Sequence, residues 1–182
     1  MKEEIPVSKA NRLVNHGPVV LVTSQFKEKT NIITLAWQMP VSHKPMLIAI
    51  SIAKSHFSHN MVKGSGEFAV NVPNADLLSQ VHYCGTTSGR DTDKFAQSGL
   101  TPLPAQKINT PLIAECIGHI ECRLQNMYPV GDHSVFVGEV LAASVEAGLF
   151  DGCWKVDEPR AKSLHHLGGN LYTTPDTILE AD

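Results

Sequence analysis

The chain has 182 residues, of which 42% are hydrophobic and 18% charged, enough for one domain, residues 1–182, with a substantial core. A formal charge of −3 without a basic block offers a nucleic-acid backbone no footprint, so nucleic acid is not expected as a partner. No apolar run nears the roughly 20 residues that span a bilayer, and the first residues lack a signal-type apolar stretch, so we expect a cytoplasmic protein without membrane contact.

In chain order, His16-Gly17-Pro18 is a turn signal ahead of a first strand, Val19 to Ser24. A charged turn, Lys27 to Thr30, leads into a second strand, Asn31 to Trp37, so the two read as a β-hairpin. The segment from Met39 to Pro45 reads as an irregular connection, because Pro40 and Pro45 exclude a central strand or a helix. Met46 to Ile52 is an apolar run of strand length, rich in β-branched residues. It ends in a polar corner, Lys54-Ser55-His56-Phe57-Ser58-His59, where a helix must start with Ser55 or Ser58 as its N-cap. The free N–H groups and the positive dipole end of that helix would suit a phosphate. The plainer reading is a capped surface helix beside a solvated Lys54, and the corner alone does not separate the two.

Phe57, Met61 and Val62 give that helix its apolar stripe, Gly64 and Gly66 end it, and Phe68 to Val72 is the next strand, closed by Pro73. Asn74 or Asp76 caps a helix running to about Tyr83, followed by a loop from Cys84 to Gly89. Arg90 to Ala96 reads as a charged loop entering a short helix that Ser98-Gly99 stops. Leu100 to Pro111, with three prolines, is an extended connection. Ala114 to Met127 and Val135 to Val145 are the last clear strands, with Pro129 to His133 as the loop between them. After Asp157 the periodicity fades, yet Leu164 to Tyr172 is too apolar for a free end. Five or six short strands with small helices between them predict a mainly β fold, an antiparallel barrel with helical decoration.

Several motifs have plainer explanations. Gly64-Ser65-Gly66-Glu67-Phe68-Ala69 spells the dinucleotide fingerprint, but that fingerprint needs a strand before it and a helix after, and here the order is reversed. His56 and His59 share a helix face at i, i+3 without a third ligand, and His165-His166 splay apart, so no metal is expected. Cys84, Cys116, Cys122 and Cys153 are scattered without a C-x-x-C pair, which points to free thiols in a reducing compartment. Cys84 beside His82 could be a thiol nucleophile, although no hydrolase signature surrounds it. With no P-loop and no G-x-S-x-G, an enzyme of this sequence would leave the hard chemistry to a bound cofactor.

Three stretches together carry a resemblance: Asn31-Ile32-Ile33-Thr34-Leu35-Ala36-Trp37, the block from Ser51 through Asn71-Val72-Pro73, and Ser88-Gly89-Arg90-Asp91-Thr92-Asp93-Lys94-Phe95. In their order and spacing the chain resembles the flavin reductase-like, FMN-binding split-barrel family, flavoredoxin type, over roughly residues 15 to 175. The resemblance implies an antiparallel Greek-key split barrel, a homodimer with the tail 157–182 at its interface, and non-covalent FMN. It assigns Asn31, Thr34, Ala36, Trp37 and Ser51 to the flavin wall and Lys54, His56 and Ser58 to the phosphate. Asn71 and Val72 would approach the ring, with Lys94 and His133 reaching the flavin from two loops. Where the family often has Arg and Thr at the helix start, this chain has His56 and Ser58, which makes phosphate affinity depend on pH. The implied activity is an FMN-dependent oxidoreductase using NAD(P)H or a redox-protein partner; the alternative is a non-catalytic FMN electron carrier.

Overall fold

Strand β1 (Val20–Phe26) alternates its side chains between two cores, which decides where everything else packs. Val20 and Val22 point to one side and Leu21 to the other, all at most 5% exposed. The structure, a computed structural model, describes residues 2–181. Around β1 run β2 (Lys29–Leu35), β3 (Gln38–His43), β4 (Met46–Ala53), β5 (Glu67–Val72), β6 (Gly118–Val130) and β7 (His133–Val145). They form one antiparallel sheet in the order β2-β1-β5-β6-β7-β4-β3.

The sheet is rolled into the expected Greek-key split barrel, because strands distant in that order share one core. Ile33 and Leu35 of β2 meet Ile50 and Ile52 of β4, together with Val22, Phe68, Val70, Cys122, Phe136 and Val62. Burying each large side chain of this kind contributes about 1.5–3 kcal/mol. On the outer side of β1 and β2, Leu21 and Ile32 pack against α2 (Leu78–Thr86) and α3 (Lys94–Ser98) through Val81, Cys84 and Phe95. Helix α1 (Phe57–Ser65) crosses from β4 to β5, burying Met61 and Val62 and stopping at Gly66, whose φ of 70° is the left-handed turn that glycine adopts freely.

Three local expectations are corrected, and one, that the apolar stretch from Leu164 is no free end, holds. The segment from Met39 to Pro45 is mostly strand, β3; as the edge of the sheet it tolerates Pro40, with a register shift between Pro40 and Ser42. Neither Ser55 nor Ser58 caps α1, because His56 occupies the N-cap position and makes no side-chain cap bond. Cys84 lies inside α2 rather than in a loop. The chain after Asp157 is partly ordered by this chain's own barrel: Leu164 is in the outer core, its carbonyl accepts from Val19 N at 2.7 Å, and a hairpin follows, β8 (His165–Gly168) and β9 (Leu171–Thr173).

Candidate functional site

The strand end at Ala53 and the start of α1 make the polar corner a concave one. A cavity of about 250 Å³ opens there, lined by Ser55, His56, Phe57 and Ser58, by Asn31 and Ile33 of β2, and by the segment Cys84 to Gly89 with Lys94. With no side chain capping α1, Phe57 N and Ser58 N, both of lining residues, have no side-chain acceptor, while His59 N donates to His56 O at 3.1 Å. Asn31 Nδ2 donates to Ser58 Oγ at 2.7 Å, so the Ser58 hydroxyl proton is left to donate elsewhere. Asn31 Oδ1 is buried without any donor. Gly89 lies so close that a Cβ there would sit 1.8 Å from Asn31 Oδ1, so only glycine lets the loop close on Asn31.

A second cavity, of about 230 Å³, shares His56 with the first and continues along Thr34, Leu35, Ala36, Trp37, Ser51, Ala53 and His133. The rings of Trp37 and His133 stack with centroids 4.9 Å apart. His133 is fixed from behind by Asp132, at 2.6 Å. On the other side of Trp37 lies a more apolar hollow of about 320 Å³ reaching Met39, Ile50 and Val135. The short 3-10 helix Val7–Leu13 and the residues after it form a shared rim, with Asn11 and Asn15 lining both spaces. Asn15 anchors that rim once its amide is turned so that oxygen faces the indole N–H: the nitrogen then donates to Ala36 O at 2.8 Å and the oxygen accepts from Trp37 Nε1.

The structure therefore brings Asn31, Thr34, Ala36, Trp37, Ser51, His56, Ser58, Lys94 and His133 to two adjoining cavities. It does not bring the rest. Lys54 turns away, donating from Nζ to Gly131 O at 2.6 Å, because it leaves the turn toward the β6–β7 hairpin. Asn71 is fully buried and spent within the barrel, donating to Leu21 O and accepting from Ile113 N. Val72 packs with Ile117, Leu149 and Ala161 on another face. Lys94 lines the cavity of Ser58 rather than that of Trp37, and its ammonium is held by Ile32 O and Cys84 O, both at 2.7 Å.

Sequence reasoning missed Thr86, Thr87 and Gly89 on one side, and Asn11, Arg12, Asn15 and His166 on the other. Ser88-Gly89 belongs to a stretch that carries the family resemblance but has no role assigned by it. The N-terminal residues gave no signal, since none of the 3-10 helix is buried.

Charge at the first cavity is positive. Desolvation holds the Lys94 pKa below its ordinary value, and the neighbouring Cys84 partly counters that. Desolvation, then the charges of His133 and Lys94, hold His56 below the usual imidazole range. Among the described residues, no carboxylate lines this cavity. Burial pushes the Cys84 thiol up to about 11, which leaves no thiolate for nucleophilic work at neutral pH. Among the described residues, no group of three or more His, Cys, Asp or Glu could hold a metal, and no helix is long and apolar enough to cross a membrane.

Comparison with known proteins adds to the geometry. The family model of the flavin reductase like domain matches residues 13–164. An uncharacterized Escherichia coli protein, YddH, is 34% identical over 181 residues, covering 96% of each chain. The crystal structure of flavoredoxin from Methanosarcina acetivorans is similar with a TM-score of 0.84 at 26% identity, covering 99% of this chain and 95% of that one. An NADH-dependent FAD reductase of Streptomyces globisporus is 30% identical over 117 residues, 62% of this chain and 63% of its own.

Proposed function

Since the chain belongs to the flavin reductase-like domain family, we propose that it binds FMN non-covalently and acts as an oxidoreductase between that flavin and NAD(P)H or a redox protein. One observation carries the choice of FMN: a cation-lined cavity at an uncapped helix start, sharing His56 with a flatter cavity walled by Trp37. The residues fit the group. A terminal phosphate matches the N–H groups of α1, Ser58 Oγ and the positive charge of Lys94. The orphaned Asn31 Oδ1 is an acceptor suited to a ribityl hydroxyl. Ala36, Trp37, Ser51 and His133 would border the ring.

When bound, FMN supplies a ring system that accepts a hydride or single electrons. This chain's share is placement. Asn31 orients Ser58, Gly89 permits the loop to approach, and Lys94 biases the potential at the phosphate end. Similarity to a flavoredoxin supports a second reading, an electron carrier whose partner does the substrate chemistry. Similarity to an NADH-dependent reductase supports the first. The protein pairs as a homodimer and works in the cytoplasm, where its four free cysteines stay reduced.

The test is a titration of purified protein with FMN and riboflavin, followed by NADH or NADPH without oxygen. Flavin bleaching by a pyridine nucleotide supports the reductase; tight FMN with no bleaching supports the carrier. A protein that neither carries flavin nor quenches FMN fluorescence removes both.

A further inference from the structure

Arg12 is an exposed cation on the rim of the Trp37 cavity that the flavin reading leaves unused. Among the described residues it has no carboxylate within ion-pair distance. Its one polar side-chain neighbour is His166, with Nη1 and Nδ1 3.5 Å apart. His166 Nε2 lies 3.0 Å from Gly169 O, so the proton sits on Nε2 and Nδ1 meets Arg12 as an acceptor. His166 therefore positions the guanidinium without neutralising it. Gly168 lies beside the guanidinium, where a Cβ would make only ordinary contact at 3.6 Å, so it is its φ of 133° that calls for glycine.

Two parts of the chain hold this arrangement in place. Asn15, one helical turn after Arg12, is tied to Ala36 and Trp37, and β8 is tied to the same segment by His166 N to Gly17 O at 3.3 Å and by the bridge between Pro18 and His165. Among the described residues the lining of this cavity contains Arg12, His56, His133 and His166 and no acidic residue; Asp132 meets His133 at 2.6 Å from outside the lining.

We propose that Arg12 is an anion contact at the mouth of the Trp37 cavity, taking a phosphate of a pyridine dinucleotide whose nicotinamide lies across that mouth while the flavin ring occupies the cavity. The ligand's identity rests on the flavin reading above. A small phosphorylated molecule fits better than an acidic protein face, because Arg12 lines a concavity instead of standing on a flat surface. FMN cannot use the same contact if its phosphate lies at Ser58, since Arg12 lines the Trp37 cavity and not the cavity of Ser58.

The experiment is calorimetric titration of the purified protein with NADP+, NAD+ and nicotinamide riboside, beside an FMN titration, for wild type, Arg12→Gln and Arg12→Lys. Arg12→Gln should weaken NADP+ and NAD+ roughly tenfold or more, as loss of a charge-assisted phosphate contact does, and leave nicotinamide riboside and FMN unchanged. Arg12→Lys should recover part of the loss. Equal losses for all ligands, no loss, a loss confined to FMN, or wild type that takes up FMN but no dinucleotide would each overturn the proposal. Wild type that binds no FMN while Arg12→Gln still loses NADP+ would remove the flavin reading and leave the subsite standing.

Discussion

His56 sits where both cavities meet, and its protonation couples to whatever anion lies at the start of α1. Its pKa is held low by desolvation and by two cationic neighbours, so the free protein carries it neutral at pH 7. A bound phosphate favours the imidazolium and raises that pKa. The added affinity is therefore full below the low pKa of the free protein and disappears as pH rises through the higher pKa of the complex. The FMN-to-riboflavin affinity ratio of His56→Gln should rise with pH as the phosphate gains its second charge, whereas in wild type loss of the His56 proton opposes that rise, so the wild-type ratio divided by the His56→Gln ratio should fall as pH rises. Parallel curves for the two proteins would take His56 out of the phosphate site. Replacing His56 and Ser58 together by Ala should cost FMN about 1.5–3 kcal/mol for each charge-assisted bond lost, and riboflavin little. Cys84 behaves oppositely. Buried in α2 with its thiol raised to about 11, it should tolerate Cys84→Ser with flavin reduction largely retained; abolished activity would revive the thiol hypothesis.

At the level of elements, the site depends on three pieces meeting: β2 through Asn31, α1 through Ser58, and the loop between α2 and α3 through Gly89. Gly89→Ala drives a methyl into Asn31 Oδ1, so either the loop retreats or the Asn31–Ser58 bond breaks. We expect FMN affinity to fall at least tenfold, with thermal stability lowered by about 1–3 kcal/mol. Gly17→Ala, with nothing within 4 Å of its added carbon, serves as the control that changes neither. The corner and its flanking strands were legible because apolar runs, prolines and glycines mark where β4 ends and β5 begins. Which way a side chain leaves the corner was not. Lys54 and His56 are two residues apart in a turn, and turn geometry sends one to the Gly131 carbonyl and the other into the cavities. Edge strand β3 was hidden by Pro40 within it and Pro45 just past its end, which exclude a central strand but not an edge. Asn71 entered the site only through the family resemblance, which says nothing of local bonding; here the barrel's own backbone takes up its bonds.

For the whole molecule, the unresolved demand is apolar surface. Met39 is 57% exposed, Tyr128 53% and Val130 57%, and a groove of about 360 Å³ runs past Val20, Ile48, Val70, Ile120 and Trp154. A rolled sheet of this size leaves such a face uncovered, and pairing with a second copy about a two-fold axis is the usual solution. Light scattering at micromolar concentration should give twice the 19.8 kDa chain mass. Truncation separates this from the fold only if cut in the right place. Removing the chain from Leu164 onward deletes a core side chain, 3% exposed, and the backbone bond to Val19, so it should unfold the outer core whether or not a dimer exists. Removing residues 174–182 leaves β8 and β9 intact and deletes exposed Ile178 and Leu179. If the tail covers the dimer seam, this shorter protein keeps its melting temperature at high concentration but dissociates on dilution, and it loses affinity for FMN only to the extent that it becomes a monomer. A full-length monomer that binds FMN tightly would leave the site intact and the exposed face without a second copy to cover it.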